Sequence, residues 1–332
     1  MLRFIFKRLL AAVPLLLALS VVAFFLIQLP PGDYADRLKS QAISMSGMSE
    51  REAQELADRF REEQGMNRPL PVQYLTWIGN IVTKGDFGHS YVYNKPIAEL
   101  INDRLPMTLL IALMCHLGAT LLGTLLGIFV ATRPYGWVDN LVTVFAFIGM
   151  TTPRFVLALL MLYLLVFHLG SVHVAALFSP EYVMAPWSLA KFGNLLQHIW
   201  PVLLVAIFGG MAHHLRVMRS NMLDVMQAQY VETARAKGLS SRRVLFKHVV
   251  PNALHPLVMF QGVALPYMIA GELEIAIVFA LPTVGPLIVS GMQDQDVFVV
   301  ASFMLLLAAT LVIGNIIADI LLALLDPRVR LS

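Results

Sequence analysis

Residues 107–132 read MTLLIALMCHLGATLLGTLLGIFVAT, a stretch without Asp, Glu, Lys or Arg. An α-helix rises 1.5 Å per residue, so about 20 apolar residues cross a hydrocarbon core roughly 30 Å thick. Similar apolar runs occur at about residues 9–29, 107–132, 138–169, 199–219, 254–281 and 297–325. We therefore predict an all-α integral membrane protein.

The composition supports this class. Hydrophobic residues make up 58% of the 332 residues and charged residues 14%, whereas about 25% of an average soluble domain is charged. The formal charge of +3 is scattered in short segments between apolar runs, so no basic face for nucleic acid is predicted. Cys115 is the single cysteine, which excludes a disulfide within one chain and a cysteine metal site.

The apolar runs predict about six crossings. The run at 138–169 is too long for one upright span, and Pro153 near its middle predicts one long, kinked helix. Short loops rich in Lys and Arg mark the cytoplasmic side. They place both termini there, on the basis of Arg3, Lys7, Arg8, Arg133, Arg216, Arg219, Arg235, Lys237, Arg242, Arg243, Lys247, Arg328 and Arg330.

The first thirty residues fit either a cleaved signal peptide or a retained span. A signal peptide has an apolar region of about 7 to 15 residues and ends in a small-x-small cleavage site. The run here is longer and ends in Leu29-Pro30-Pro31-Gly32. We therefore expect a retained first span.

The segment after the first span predicts a small helical subdomain on the external side. Ser49 and Glu52 have the spacing of a capping box, and Gly65 is placed to end that helix. Two apolar stripes follow helical spacing: Ala53, Leu56, Ala57 and Phe60, then Val72, Leu75, Ile78 and Val82. Two interpretations stay open: the helices pack on each other or on the membrane, or they dock a soluble partner.

Residues 216–256 read RVMRSNMLDVMQAQYVETARAKGLSSRRVLFKHVVPNALHP. The pattern predicts a helix over 222–237, a break at Gly238, and a second helix over 241–250 closed by Pro251. Such an elbow could fit a groove on a cytoplasmic partner. It could equally lie on anionic lipid, which its basic residues favour. Charge alone does not choose between these two interpretations.

The amino-acid sequence of this segment is similar to a known family motif. The string Tyr230-Val231-Glu232-Thr233-Ala234-Arg235-Ala236-Lys237-Gly238-Leu239, with His248, Asn252, Ala253 and Pro256, resembles the EAA loop of binding-protein-dependent ABC importers of the dipeptide, oligopeptide and nickel permease family. Further matches along the whole chain are Pro31-Gly32-Asp33, Gly85-Asp86-Phe87-Gly88 with Ser90, Arg216, Arg219-Ser220, Pro282 with Gly285, and Asp326-Pro327-Arg328 with Arg330.

The resemblance implies a permease subunit in a bacterial or archaeal cytoplasmic (inner) membrane. A homologous second permease would pair with it, two ATP-binding subunits would lie beneath, and an extracytoplasmic binding protein would deliver the solute. The implied ATPase-coupling residues are Tyr230, Glu232, Ala234, Arg235, Lys237, Gly238 and Leu239. Among them Glu232 would supply polar contact, Ala234 close approach and Gly238 the turn.

The resemblance also implies a division of the chain and a set of roles. Residues 1–31 would hold the first span, 32–105 an extracytoplasmic helical insertion, and 106–332 a five-helix permease core with the coupling loop at 220–256, between the fourth and fifth spans. No catalytic residue and no cofactor is expected. The sequence has no G-x-x-x-x-G-K-[ST] phosphate loop, so ATP and Mg would be bound by partner subunits.

The expected solute is a di- or oligopeptide, while nickel chelates, opines and oligosaccharides are the alternatives within the family. An ion-gradient-driven secondary transporter is a second class, but it would typically show paired, interrupted helices from an internal repeat. An intramembrane hydrolase would need a nucleophile with its base or a zinc motif, and the sequence has neither.

Two acidic residues depart from the family pattern. Many members carry a glutamate at the position of Ala276, whereas this chain has Glu272 and Glu274. On a helix these two point about 200° apart, so they cannot face one pore together. One of them is expected to line the pathway, where it would favour cationic groups. The alternative is that both lie in water near the external interface.

Other polar residues lie within the apolar runs. Arg154, Asn315 and Asp319 are expected to make hydrogen bonds between helices. The histidines His116, His168, His213 and His214 suggest a metal, but adjacent histidines point to different faces of a helix and no His-x-x-x-His pattern occurs. We therefore predict no metal site.

Overall fold

The computed structural model describes the backbone of residues 2–170 and 175–325, and within these the side chains outside 2–5, 7, 262–271 and 318–325. The elements are α1 (Leu2–Leu26), α2 (Tyr34–Ser46), α3 (Glu50–Glu63), α4 (Leu70–Lys84), β1 (His89–Ser90), β2 (Lys95–Pro96), α5 (Ile97–Ala131), α6 (Trp137–Thr151), α7 (Arg154–Tyr163), α8 (Pro180–Val183), α9 (Leu189–Met226), α10 (Gln229–Ala236), α11 (Ser241–Val244), α12 (Val250–Val278), α13 (Val284–Gln293) and α14 (Val297–Leu325). Two π-helical turns, Leu164–His168 and Leu245–Val249, follow α7 and α11.

Two compact units make up the chain. The first unit contains residues 1–106 and 283–313, and the second contains residues 107–282 and the C-terminal residues from 314 onward. The predictions that concern Asp326, Arg328, Arg330 and the side chain of Asp319 lie outside the described residues.

Several helices are long and apolar enough to cross a membrane. Within the described residues these are Arg8–Leu26 of α1, Ile97–Ala131, Leu189–Met226 and Val297–Ile317 of α14, together with the bent pair α6 and α7. The 29 residues of α12 have a comparable length. An all-α membrane architecture with four or five such spans follows, while the count of six and the cytoplasmic position of both termini stay predictions.

The prediction of one long, kinked helix over residues 138–169 is wrong. The segment forms two helices, α6 and α7 with its π-helical turn, whose axes differ by 99°. Thr152 has an extended backbone at φ −80° and ψ 125°. A residue that precedes a proline is pushed out of the helical region, so Pro153 ends α6 and begins a new helix rather than bending an existing one.

After α1, the first unit continues with two capped helices, α2 and α3. Asp33 and Asp36 form a capping box at the start of α2, and Ser49 and Glu52 form the predicted one at the start of α3. Ala53 and Ala57 are fully buried. The apolar stripe of α3 therefore packs against α2, a helix that the sequence analysis did not identify.

Apart from Ile78, the apolar stripe predicted on α4 is not the face that packs against α1, and its contact with a membrane or a soluble partner stays a prediction. Leu75 and Val82 are 64% and 76% exposed, whereas Tyr74 and Trp77 are buried against Phe24 of α1. Phe24 and Trp77 stack with ring centroids 5.4 Å apart. Both faces have helical spacing, but aromatic side chains bury more apolar area than Leu or Val, so the aromatic face turns inward.

The second unit is held together by close packing of α5 and α6 on α9. A Cβ atom added to Gly123 would lie 2.4 Å from the carbonyl oxygen of Met211, and one added to Gly149 would lie 2.5 Å from that of Phe208. Small residues of this kind let helix backbones approach closely within a membrane. The main core of this unit includes Ile111, Ala158, Leu195, Ile199, Ile275 and Phe279.

The helices predicted over 222–237 and 241–250 differ from those found. The long helix α9 continues to Met226, and Ala228 then separates it from α10. Pro251 does not close a helix but lies in the first turn of α12. Proline is tolerated there because the amide it lacks would have no partner within the helix.

Candidate functional site

The segment between α9 and α12 forms an elbow made of α10, Gly238 and α11. Gly238 has φ +75°, in the left-handed region that glycine adopts without strain. The amide of Leu239 donates to the carbonyl of Ala234 at 3.4 Å, and that of Gly238 donates to the carbonyl of Arg235 at 2.9 Å. These two bonds are those of a Schellman motif, which satisfies the free carbonyls at the end of α10.

The buried face of the elbow packs into its own chain. Val231 and Ala234 are buried, and Leu239 packs beside them. Their cluster also contains Met218, Met222, Val244, Val249, Ala253 and Leu257. Ala234 is therefore in close contact with the interior of this chain, and the elbow is fixed to the ends of α9 and α12.

The opposite face of the elbow is polar and open. Tyr230 is 46% exposed, and Glu232, Arg235 and Lys237 are exposed as well. None of these four side chains makes a hydrogen bond or ion pair with another described residue. A rigid elbow thus presents a tyrosine hydroxyl, a carboxylate and two cations to whatever lies beyond it.

The two acidic residues of α12 have different surroundings. Glu272 is 1% exposed, and both of its carboxylate oxygens lack a hydrogen-bond partner among the described residues. Glu274 is exposed. The two side chains point in different directions, as their spacing requires, and they do not form one acidic site.

Two of the histidines in the apolar runs, His116 and His214, lie in a partly buried polar cluster that sequence reasoning missed. The Nε2 atom of His116 lies 2.6 Å from Oε1 of Gln261, and Nε2 of His214 lies 3.1 Å from Oγ1 of Thr120. The rings of His116 and His214 are 6.0 Å apart. Among the described residues no group of three or more His, Cys, Asp or Glu side chains could hold a metal ion.

An ion pair joins the start of α6 to the end of α9. Arg219 donates from Nε to Oδ1 of Asp139 at 2.8 Å and from Nη2 to Oδ2 at 2.7 Å. The side chain of Asp139 is 2% exposed and that of Arg219 is 23% exposed. Two parallel, charge-assisted bonds fix this end of the helix pair.

Tyr135 completes this arrangement. Its amide donates to Oδ2 of Asp139 at 2.8 Å, and its ring lies 5.4 Å from the guanidinium carbon of Arg219. Its φ of +62° is unusual for a residue other than glycine. In that conformation its backbone amide donates a hydrogen bond to Asp139, and its ring makes a cation–π contact with Arg219.

An ion pair in the first unit joins the start of α2 to α3. Asp33 accepts two bonds from Arg61, at 2.8 and 3.0 Å. Burial alone would raise the pKa of Asp33, but the bonds from Arg61 and from the amide of Asp36 outweigh it and leave this pKa below its ordinary value.

Asp296 anchors the end of β1 and the turn that joins β1 to β2. The hydroxyl of Ser90 donates to its Oδ2 at 2.6 Å, and the amide of Val92 donates to the same atom at 3.2 Å. Burial nevertheless raises the pKa of Asp296. The neighbouring Tyr91 phenol also has a raised pKa, because burial and then the charge of Asp296 disfavour its ionisation.

Two of the polar residues named from the sequence remain without a demonstrated role. Arg154 is half-buried, and its alkyl part lies 3.6 Å from where a Cβ on Gly209 would stand. Asn315 is exposed. Hydrogen bonding of these residues between helices stays a prediction.

Comparison with known proteins covers the whole chain. The family model described as "Binding-protein-dependent transport system inner membrane component" matches residues 123–331. A second model, described as the N-terminal part of a binding-protein-dependent transport system membrane component, matches residues 1–112.

Relatives of similar length support the same grouping. The oligopeptide transport system permease protein AppB of Bacillus subtilis (strain 168) is 36% identical over 98% of this chain and 99% of its own length. A putative peptide permease protein of Brucella suis biovar 1 is 34% identical over 100% of both chains. A probable peptide ABC transporter permease protein of Sinorhizobium fredii is 29% identical over 98% of this chain and 99% of its own.

Proposed function

The chain belongs to the family of binding-protein-dependent transport system inner membrane components, and from this we propose that it imports a peptide-like solute. It is a permease subunit of an ABC importer of this type. Peptides are the solute class because the relatives that match its full length are named peptide or oligopeptide permeases. Nickel chelates, opines and oligosaccharides are the competing solutes that the test below includes.

The open face of the elbow is the observation that carries the proposed coupling to ATP hydrolysis. Val231 and Ala234 anchor the elbow in the chain, while Tyr230, Glu232, Arg235 and Lys237 have no hydrogen-bond or ion-pair partner among the described residues. We assign these four residues to contact with a separate ATP-binding subunit. Motion of that subunit would reach α9 and α12 directly, because the elbow is packed on both helices.

Gly238 and Leu239 would act in coupling by keeping the elbow rigid. The Schellman motif and the burial of Leu239 against Ala234 fix the angle between α10 and α11. A flexible loop would change its own conformation when the ATP-binding subunit moves, and the membrane helices would stay in place. A closed elbow transmits the displacement to the membrane helices.

Glu274 is the residue that we assign to the solute pathway. It is exposed on the described chain, whereas Glu272 is enclosed and cannot meet a solute without a rearrangement. A carboxylate at membrane depth is costly unless it faces a cavity or a partner. At the face between two paired permeases it would attract the ammonium group of a peptide.

The complex around this chain is tested by affinity purification. The tagged chain is taken from native membranes in mild detergent, and the co-purifying proteins are identified by mass spectrometry. We expect a second permease and ATP-binding subunits. In Glu232→Arg the ATP-binding subunit should be lost, because the new cation repels the site that accepted the carboxylate.

The matched control is Glu62→Arg, which makes the same charge change on exposed α3 in the external part of the chain. It should retain the ATP-binding subunit. Recovery of the chain alone, or equal loss of the subunit in both variants, would contradict coupling through the elbow.

The solute is tested by uptake into proteoliposomes that contain the purified complex and its binding protein. Labelled di- and tripeptides should enter, whereas a nickel chelate, an opine and an oligosaccharide should not. Glu274→Gln should reduce the preference for peptides with an extra cation, and Glu272→Gln should leave that preference unchanged. Unchanged selectivity in Glu274→Gln would remove this residue from the pathway.

A further inference from the structure

A cavity of 250 Å³ lies between α6 and α9 in the second unit. One end has polar walls, made by Asp139, Asn140, Thr143, Arg216 and Arg219. The other end has apolar walls, made by Phe147, Met150 and Ala212. From Asn140 to Met150 the helix advances about 15 Å at 1.5 Å per residue. The cavity therefore changes from polar to apolar along the helix axis.

The two helices that form the cavity run antiparallel. The ion pair between Asp139 and Arg219 joins them at the polar end, and the close approach of Gly149 to Phe208 joins them at the apolar end. Both walls are therefore fixed. The cavity is therefore part of the packed interface between the two helices.

The polar end carries one uncompensated positive charge. The charge of Arg219 is balanced by its bidentate pair with Asp139. Arg216 lines the same cavity one helical turn away, and its guanidinium makes no hydrogen bond or ion pair with any described residue. An unpaired guanidinium beside polar Asn140 and Thr143 is suited to a planar, multiply bonded anion such as phosphate.

Exposed aromatic residues place the polar end at the membrane interface. Tyr135 and Trp137 are 79% and 75% exposed, and residues of this type concentrate at the headgroup level of a bilayer. Further along α6, Val144, Phe145 and Ile148 are 59%, 57% and 52% exposed. These apolar side chains offer a surface for acyl chains next to the apolar half of the cavity.

We propose that this cavity is a binding site for one anionic phospholipid. Arg216 binds the phosphate with help from the side-chain amide of Asn140, and the first carbons of an acyl chain lie along Phe147 and Met150. Basic pockets between membrane helices bind anionic headgroups in this way. A neutral zwitterionic lipid would bind less tightly, because its own cation would compete for the phosphate and be placed beside Arg216.

The site is tested by native mass spectrometry of the full-length chain in its purified complex. Phosphatidylglycerol and phosphatidylcholine are titrated separately, and bound lipid is counted per complex. The wild type should bind one phosphatidylglycerol about tenfold more tightly than phosphatidylcholine, the usual effect of a charge-assisted bond. Arg216→Gln should bring the two affinities within about twofold of each other.

The matched control is Arg133→Gln, because Arg133 is exposed at the same end of α6 but does not line the cavity. It should bind like the wild type. Thr143→Leu fills the middle of the cavity without changing charge and should also abolish tight binding. The thermal midpoint of each variant, measured in parallel, excludes a loss that comes from unfolding.

Several results would overturn the proposal. Equal binding of the two lipids by the wild type, or an equal loss in Arg133→Gln, would reduce the effect to general surface charge. Displacement of the lipid by millimolar inorganic phosphate would assign the site to a free anion. Absence of the lipid from the complex would mean that a partner subunit covers the cavity. None of these results depends on which solute the importer carries.

Discussion

Gly238 is the single residue whose conformation holds the elbow closed. Its φ of +75° disfavours any side chain, while the space around it is open, so a substitution acts through the backbone alone. Gly238→Ala should lower the free energy of unfolding by about 1 kcal/mol, the cost of placing alanine in the left-handed region. Chemical unfolding in mixed micelles measures this value.

Gly193→Ala serves as the control for Gly238→Ala. Gly193 also has open space around its Cα, but it lies inside α9 and has no left-handed backbone. Alanine is favoured over glycine in a helix interior, so this change should not destabilise the chain. Equal effects at the two positions would mean that the turn at Gly238 does not require glycine.

The ion pair between Asp139 and Arg219 also contributes to the stability of the fold. Asp139→Asn should destabilise the chain by about 2 kcal/mol, because a mostly buried guanidinium loses its charge partner. The value is below that of a fully buried pair, since the side chain of Arg219 is 23% exposed. The double variant Asp139→Asn/Arg219→Met should recover part of the loss in the same unfolding assay. Additive losses would show that the two side chains are not coupled.

At the scale of elements, Asp296 links the turn before β2 to the start of α14. Burial raises its pKa above the ordinary 3.8, so the folded chain binds this proton more tightly than the unfolded chain does. Its stabilising contribution is complete below pH 3.8 and is lost as the pH rises through the raised folded value. Asp296→Asn should abolish this part of the pH dependence, as measured by thermal unfolding between pH 4 and pH 8.

Asp33 should show the opposite dependence in the same unit. Its folded pKa lies below 3.8, so its contribution with Arg61 is complete above that pH and is lost only as the pH falls through the lowered value. Unfolding of Asp33→Asn should therefore diverge from that of the wild type above pH 3.8 and converge with it at lower pH. A variant curve that stays parallel to the wild type down to the lowest pH would contradict this assignment.

At the scale of the whole molecule, uptake should depend on ATP and not on an ion gradient. Proteoliposomes that contain the complex should take up peptide when ATP is supplied on the side of the elbow. An uncoupler that collapses ion gradients should leave this uptake unchanged, whereas a non-hydrolysable ATP analogue should stop it. Uptake that persists without ATP hydrolysis and fails with the uncoupler would indicate a secondary transporter.

The sequence predicted those features that depend on residues close together in the chain. Apolar runs indicated membrane helices because every backbone group in lipid must be satisfied within the segment itself. Ser49 and Glu52 indicated a helix start because a capping box needs only four consecutive residues. The elbow residues were identified from a resemblance to a family, and their role in coupling stays a prediction.

The sequence alone could not choose between competing local patterns. On α4, the stripe with Leu75 and the stripe with Trp77 both have helical spacing, and only contact with Phe24 selects the aromatic one. At Pro153 the sequence allowed a kink or a break, and the angle of 99° depends on what α7 packs against. Helix propensity depends on the local sequence, whereas the face of a helix that becomes buried depends on the surface against which the helix packs.

The sequence by itself determined that this chain is helical, apolar enough for a membrane, and a member of an importer family. Tertiary structure alone decided which polar residues have partners: Asp139 with Arg219, His116 with Gln261, and Ser90 with Asp296. It also left Arg216 beside a cavity and the carboxylate of Glu272 without a hydrogen-bond partner in the described part of the chain. The physical reason is distance along the chain, because pairs 80 to 206 residues apart leave no periodic trace in the sequence that joins them.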